Sequence, residues 1–326
     1  MATETLNNGI EPPILAEANG SFKEPLAIIR ENSCLKGDNK QMNSEINTYI
    51  QNWISNARKE YEKRLPSHRS RDSRNLVKFE VVSGRILDVD VDRKHVAYTI
   101  VVTNDSKELD RNPNVIERRY TDFLDLYSKL RHTFPHHFTS FNFPKKLFIR
   151  NFAPESITTR RLAFEELLNL IDQQQALKES GHFISFLQNR ELLEAKVWIE
   201  SNRFDQAIPL VENTFRLLNK VHTDRHPAVL SCLCLLVACC DAYNYYCATY
   251  FAELALHRYE AVSDADLLQF YVPLLYVCLQ RYQDSAAKVY VEERLISMKR
   301  RGINVAGHPS LLDIVMTAIF GSSPNK

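Results

Sequence analysis

Glycine is scarce in this chain, with 8 among 326 residues. None of the eight falls into G-x-G-x-x-G or G-x-x-x-x-G-K-[ST], so neither a dinucleotide fold nor a nucleotide P-loop is expected. Long apolar runs are missing too. The longest uncharged stretch, His226 to Cys240, falls short of the roughly 20 residues a membrane-crossing helix needs; it reads as a buried helix. The opening MATETLNNGIEPP has no basic n-region and no apolar h-region, so no secretory signal is expected. Neither sign of charge is in excess: 41 Lys/Arg against 40 Asp/Glu give a net charge of +1. The chain as a whole therefore does not read as a polyanion binder, and no nucleic-acid partner is expected. G-x-S-x-G and H-E-x-x-H do not occur, which argues against hydrolase and zinc-protease chemistry and leaves no catalytic residue to nominate.

Of the seven cysteines, six lie between Cys232 and Cys278 in an apolar helical pattern. There they read as buried thiols of a reduced, cytoplasmic protein rather than as a disulfide framework. His222, His226, Cys232 and Cys234 are close in sequence, but their spacing matches no usual ligand pair. Neither a metal nor a cofactor is expected.

A hydrophobic content of 44% over 326 residues is enough for two folded domains and a tail. Residues 1–74 are polar and read as mostly disordered. Within them Ile46, Ile50, Trp53, Ile54, Ala57, Tyr61 and Leu65 recur at helical spacing, which suggests an amphipathic helix over 46–65. From 75 to 190 the pattern is strands first, then helices. Val77–Val81, Val96–Val102 and Val115–Tyr120 alternate like strands of an antiparallel meander. Helices are expected over Phe123–His132, Ser156–Gln175 and a short Gly181–Gln188. The order defines an α+β domain. From 191 to 326 only helices are expected, beginning at Leu192–Glu200. Phe204-Asp-Gln-Ala207, Tyr245-Tyr-Cys-Ala248 and Tyr282-Gln-Asp-Ser-Ala286 each open a helix in the same manner, a pattern similar to tetratricopeptide-type hairpins, which present grooves to peptides or proteins.

The charge that the whole chain lacks is concentrated locally. Between Val115 and Arg161 there are nine Lys/Arg against four acids. Arg118-Arg119-Tyr120 stands where a strand ends and a helix begins, a place where free N–H groups favour an anion and an arginine fork can grip phosphate. The long segment Phe134–Pro154 interleaves Lys145, Lys146 and Arg150 with phenylalanines. Its tip, Leu147, Phe148 and Ile149, either packs on the domain or dips into an anionic membrane. Arg160 and Arg161 lie early in the following helix.

Three strands, R-R-Y-x-D-F at 118–123, a proline-containing loop ending Pro144-Lys145-Lys146, and R-x-x-x-[LF] from Arg160 resemble the PX (phox-homology) domain of sorting nexins over about 75–190. The helical remainder resembles the PX-associated B domain of a small sorting-nexin subfamily. The resemblance implies binding of phosphatidylinositol 3-phosphate, with other phosphoinositides open. It assigns the 3-phosphate to Arg119, the face of the inositol ring to Tyr120, the 1-phosphate to Lys146 and the ring hydroxyls to Arg160. Arg118, Lys145 and Arg161 would be supporting charges, and Leu147, Phe148 and Ile149 the inserting tip. It implies a non-enzymatic peripheral adaptor on early endosomes, with a protein cargo held by 191–326. The alternatives are a phosphoinositide-directed hydrolase and, from the aromatic and basic residues at 134–161, an RNA-binding protein.

Overall fold

A computed structural model describes residues 77–87, 94–104, 112–146, 151–259, 268–282 and 285–321. The expected tail 1–74, with its helix over 46–65, lies outside the described residues.

Three strands, β1 (Val77–Leu87), β2 (His95–Asn104) and β3 (Asn114–Arg119), form one antiparallel sheet in sequence order. This is the expected meander. In β1, Val77, Phe79 and Val81 turn inward by the two-residue period of a strand. The β1–β2 register slips between Val81 and Ser83. At this bulge the Val81 N–H donates to the Glu165 carboxylate at 3.1 Å, so a backbone donor released by the irregular pairing is still satisfied. The central strand β2 is buried without interruption from Val96 to Val102, because helices cover both of its faces.

The helices in the described residues are α1 (Tyr120–Thr133), α2 (Pro154–Gln173), the short α3 (Gln175–Lys178), α4 (Gly181–Glu200), α5 (Phe204–Val221), α6 (Pro227–Ala242), α7 (Ala248–Tyr259), α8 (Tyr271–Arg281), α9 (Ser285–Arg300) and α10 (Leu311–Phe320). A 3-10 turn, Pro135–Phe138, follows α1. Proline opens α2 and α6 at the first position, where no N–H partner is lost. From α4 to α9 each helix packs on the next, and α10 returns onto α6. Eleven of the sixteen residues of α6 are buried, among them every one from Cys232 to Cys240; the uncharged run 226–240 is the centre of the helical stack. No described helix is long and apolar enough to cross a membrane.

Two details differ from the sequence reading. Gly181–Gln188 and Leu192–Glu200 are not separate helices. They are halves of α4, which runs through Arg190 and Glu191, where a domain boundary was expected. The intervening Asn189, Arg190 and Glu191 include no glycine or proline to stop a helix, and Glu191 is anchored by an ion pair to β3. Of the three repeating alanines, Ala207 and Ala248 are buried as close helix packing requires, whereas Ala286 is exposed.

The sheet and the helical stack share one hydrophobic core, reinforced by polar groups. Asn104 Nδ2 donates to the Lys220 carbonyl at 2.9 Å, Asn114 Nδ2 to Asn213 Oδ1 at 2.8 Å, and the buried Lys220 ammonium to Asn114 Oδ1.

Candidate anion-binding site

Arg118 and Arg119 are neighbours on a strand, so their side chains leave on opposite faces. Arg118 goes inward. Its Nη1 and Nη2 meet Glu191 at 2.6 and 2.7 Å, Nε donates to the Phe186 carbonyl at 2.7 Å, and the remaining donors reach the carbonyls of Leu187 and Glu117. All five N–H groups of a guanidinium are thus committed to α4 and β3. The supporting role expected of Arg118 does not match this geometry: it holds the sheet to α4 and has no donor left for a ligand. Arg161, another expected supporting charge, is likewise buried.

Arg119 goes outward. It caps α1 from an extended backbone (φ −96°, ψ 167°). Its N–H donates to Asp122 Oδ2 at 2.8 Å, and its Nε approaches Asp122 Oδ1 at 3.3 Å. The side chain remains 58% exposed, and an exposed pair of this kind contributes at most about 1 kcal/mol. The guanidinium can therefore leave Asp122 for a competing anion at small cost. It lines a cleft of about 690 Å³ between α1 and α4 that also contains Lys129, His182 and Arg190.

Tyr120 and Arg160 meet directly. The Arg160 guanidinium sits 4.5 Å from the centre of the Tyr120 ring, and its Nη2 donates to Asn151 Oδ1 at 2.8 Å. Burial raises the phenol pKa of Tyr120, with the Arg160 charge opposing. Burial likewise raises that of Tyr98 deeper in the core, again opposed by Arg160. The Tyr120 hydroxyl donates to the Pro144 carbonyl at 2.7 Å. That bond ties the residue just before Lys145 and Lys146 to the start of α1. Both lysines are exposed and line, with Tyr120, Leu124, Tyr127 and Arg131, a cleft of about 470 Å³. Several aromatics of the loop pack rather than project. Phe138 is buried, and Phe143 stacks on Tyr127 with centroids 4.7 Å apart. Leu147, Phe148 and Ile149 lie outside the described residues.

The structure thus brings Tyr120, Lys145 and Lys146 to one cleft, seats Arg160 against Tyr120, and opens Arg119 onto the neighbouring cleft. Two members escaped the sequence reading. Arg131 lies 5.9 Å from the Tyr127 ring and donates to its hydroxyl at 3.3 Å. The signal was present, since Tyr120, Leu124, Tyr127 and Arg131 follow a helical stripe. Asn151, which holds Arg160, had no local signal. Among the described residues Cys232, Cys234, Cys239, Cys240 and Cys278 are buried, and burial pushes their thiols up, to about 12 at Cys234, which leaves them protonated and unreactive.

A meander running into an arginine-capped helix, with a basic loop braced against that helix, defines a PX-type module. The family model "PX domain" matches residues 107–190. The chain is 34% identical over 161 residues to sorting nexin-20 of Bos taurus, covering 49% of this chain and 50% of that protein. It is 31% identical over 149 residues to sorting nexin-21 of Mus musculus, covering 46% and 40%. Residues 107–190 thus match the PX domain, and the chain is similar to sorting nexins 20 and 21. The matched part spans about half the length of the sorting nexin-20 relative, or less for sorting nexin-21.

Proposed function

We propose that this chain is a non-enzymatic peripheral membrane adaptor of early endosomes. In this reading its PX domain binds phosphatidylinositol 3-phosphate and its helical region, 191–326, holds a protein cargo. The observation that carries it is the Tyr120–Pro144 hydrogen bond, which sets an exposed pair of lysines beside an aromatic ring backed by Arg160. Arg119 leaves Asp122 and takes the 3-phosphate. Tyr120 packs against the inositol ring. Lys146 meets the 1-phosphate, and Arg160 the ring hydroxyls. Lys145 and Arg131 add long-range attraction, each basic residue near an anionic surface contributing about 1 kcal/mol. The tip at Leu147, Phe148 and Ile149 enters the bilayer, so that one specific site, charge and shallow insertion act together.

Flotation of the full chain with liposomes containing a phosphoinositide panel tests this. Binding to 3-phosphoinositide liposomes is expected, lost in Arg119→Ala and weakened in Lys146→Ala with the melting temperature retained. Equal flotation of wild type and both variants would sink the site. Turnover of a soluble phosphoinositide by the purified protein would overturn the non-enzymatic reading.

A further inference from the structure

Three side chains from separate elements converge where α3 meets the corner between α5 and α6. Glu179 follows α3, His222 ends α5 and His226 opens α6. Glu179 Oε1 lies 3.7 Å from His222 Nδ1, and Glu179 Oε2 lies 3.0 Å from His226 Nε2. One donor atom from each residue lies within 4.8 Å of the others. A tetrahedral zinc ion with bonds of about 2.0–2.1 Å separates its donors by about 3.3–3.4 Å, between the two spacings found. We propose that Glu179, His222 and His226 form a zinc-binding site that clips the end of the PX region to the helical stack.

The chemistry suits that ion. Two imidazoles and one carboxylate are an established class of zinc donors, with the fourth position left to water; Glu179 is partly exposed and admits it. His222 is buried, and a neutral imidazole there has a lone pair to offer. The carboxylate of Glu179 is oriented by Gln175, whose Nε2 donates to Oε1 at 2.8 Å, the kind of supporting bond metal ligands use. The adjacent Lys178 is engaged by Asp172 at 2.6 Å.

His226 is the group that must move. Its ring stacks on that of His222 at 4.4 Å, and its Nδ1 accepts the Ala228 N–H at 3.1 Å. That acceptance places the ring proton on Nε2, where it donates to Glu179. When zinc binds, the ring turns out of the stack, Nε2 takes the ion, the proton passes to Nδ1 and the Ala228 N–H is released. Cys232 and Cys234, the nearest thiols in sequence, face the Val211 carbonyl and the Tyr259 hydroxyl instead.

The test uses the full chain, freed of metal with a chelator and titrated with Zn²⁺ alone or with Co²⁺ as a spectroscopic probe. The expected result is one equivalent bound, a rise in melting temperature, and the visible bands of four-coordinate Co²⁺ without a thiolate charge-transfer band. His226→Asn removes a ligand but keeps a good N-cap acceptor for Ala228, and Glu179→Gln keeps the side-chain shape. Each should weaken binding by more than the roughly 10- to 100-fold that loss of a supporting partner costs, with the circular dichroism spectrum unchanged. Three results would each overturn the site: no saturable uptake by the full chain, a thiolate band in the Co²⁺ spectrum, or unchanged affinity in both variants.

Discussion

Arg118 and Arg119 are adjacent and chemically identical, yet their replacement should have opposite consequences. Arg118→Met leaves the Glu191 carboxylate buried without its partner. Breaking such a pair costs about 3–5 kcal/mol, to be read as a lower midpoint in denaturant unfolding. The double replacement Arg118→Met, Glu191→Leu should recover most of that loss, because no buried charge is left. Arg119→Ala removes only an exposed pair and should shift stability by less than about 1 kcal/mol while abolishing lipid capture. At Tyr120 the hydroxyl and the ring separate cleanly. Tyr120→Phe keeps the surface beneath Arg160 but releases the Pro144 carbonyl. Faster amide exchange over 139–146 with weaker phosphoinositide binding is expected; unchanged exchange would mean that packing alone positions the lysines.

Among elements, the seating of α2 on β1 decides where Arg160 lies. The two elements come close at Gly84, where an added Cβ would come 2.6 Å from Ile157 Cγ2 and 3.2 Å from the Tyr98 ring. Gly84→Ala should therefore push α2 outward and cost about 1–3 kcal/mol by overpacking. Ile157→Ala removes the obstructing methyl, so the double variant should be more stable than the sum of the two single effects indicates. A thermal denaturation cycle measures that coupling, and strict additivity would show that the clash is relieved elsewhere. The same seating is held by Glu165 at the β1 bulge, which places a buried carboxylate one turn beyond Arg161 for a structural reason.

For the whole molecule, the division at 190/191 that composition suggests cuts through α4 and through the Arg118–Glu191 pair. A fragment 75–190 should consequently unfold well below the full chain. Extension to Glu200 restores the ion pair and should regain about 3–5 kcal/mol. Further extension through Val221 adds the Asn114–Asn213 and Lys220 contacts. Equal melting temperatures for all three fragments would show that the sheet needs neither the second half of α4 nor α5. The helical stack thus completes the fold of the PX region as well as following it.

What the sequence by itself determined is whatever depends on local periodicity. Two-residue alternation marked the three strands, and helical spacing with proline and polar breaks marked α1, α2 and the stack, with ends shifted by a few residues. The same alternation required that Arg118 and Arg119 point to opposite faces. Which of them faces the core was decided only by tertiary structure, because it depends on the pairing of Arg118 with Tyr98 and Arg119 with Ala97 and on a carboxylate 73 residues away. The continuity of α4 is a similar case, for its midpoint is fixed by that distant ion pair rather than by any local signal. Glu179, His222 and His226 come from three separate elements, and sequence spacing has no access to groups that meet only when a helix end, a helix cap and a connecting turn are packed together.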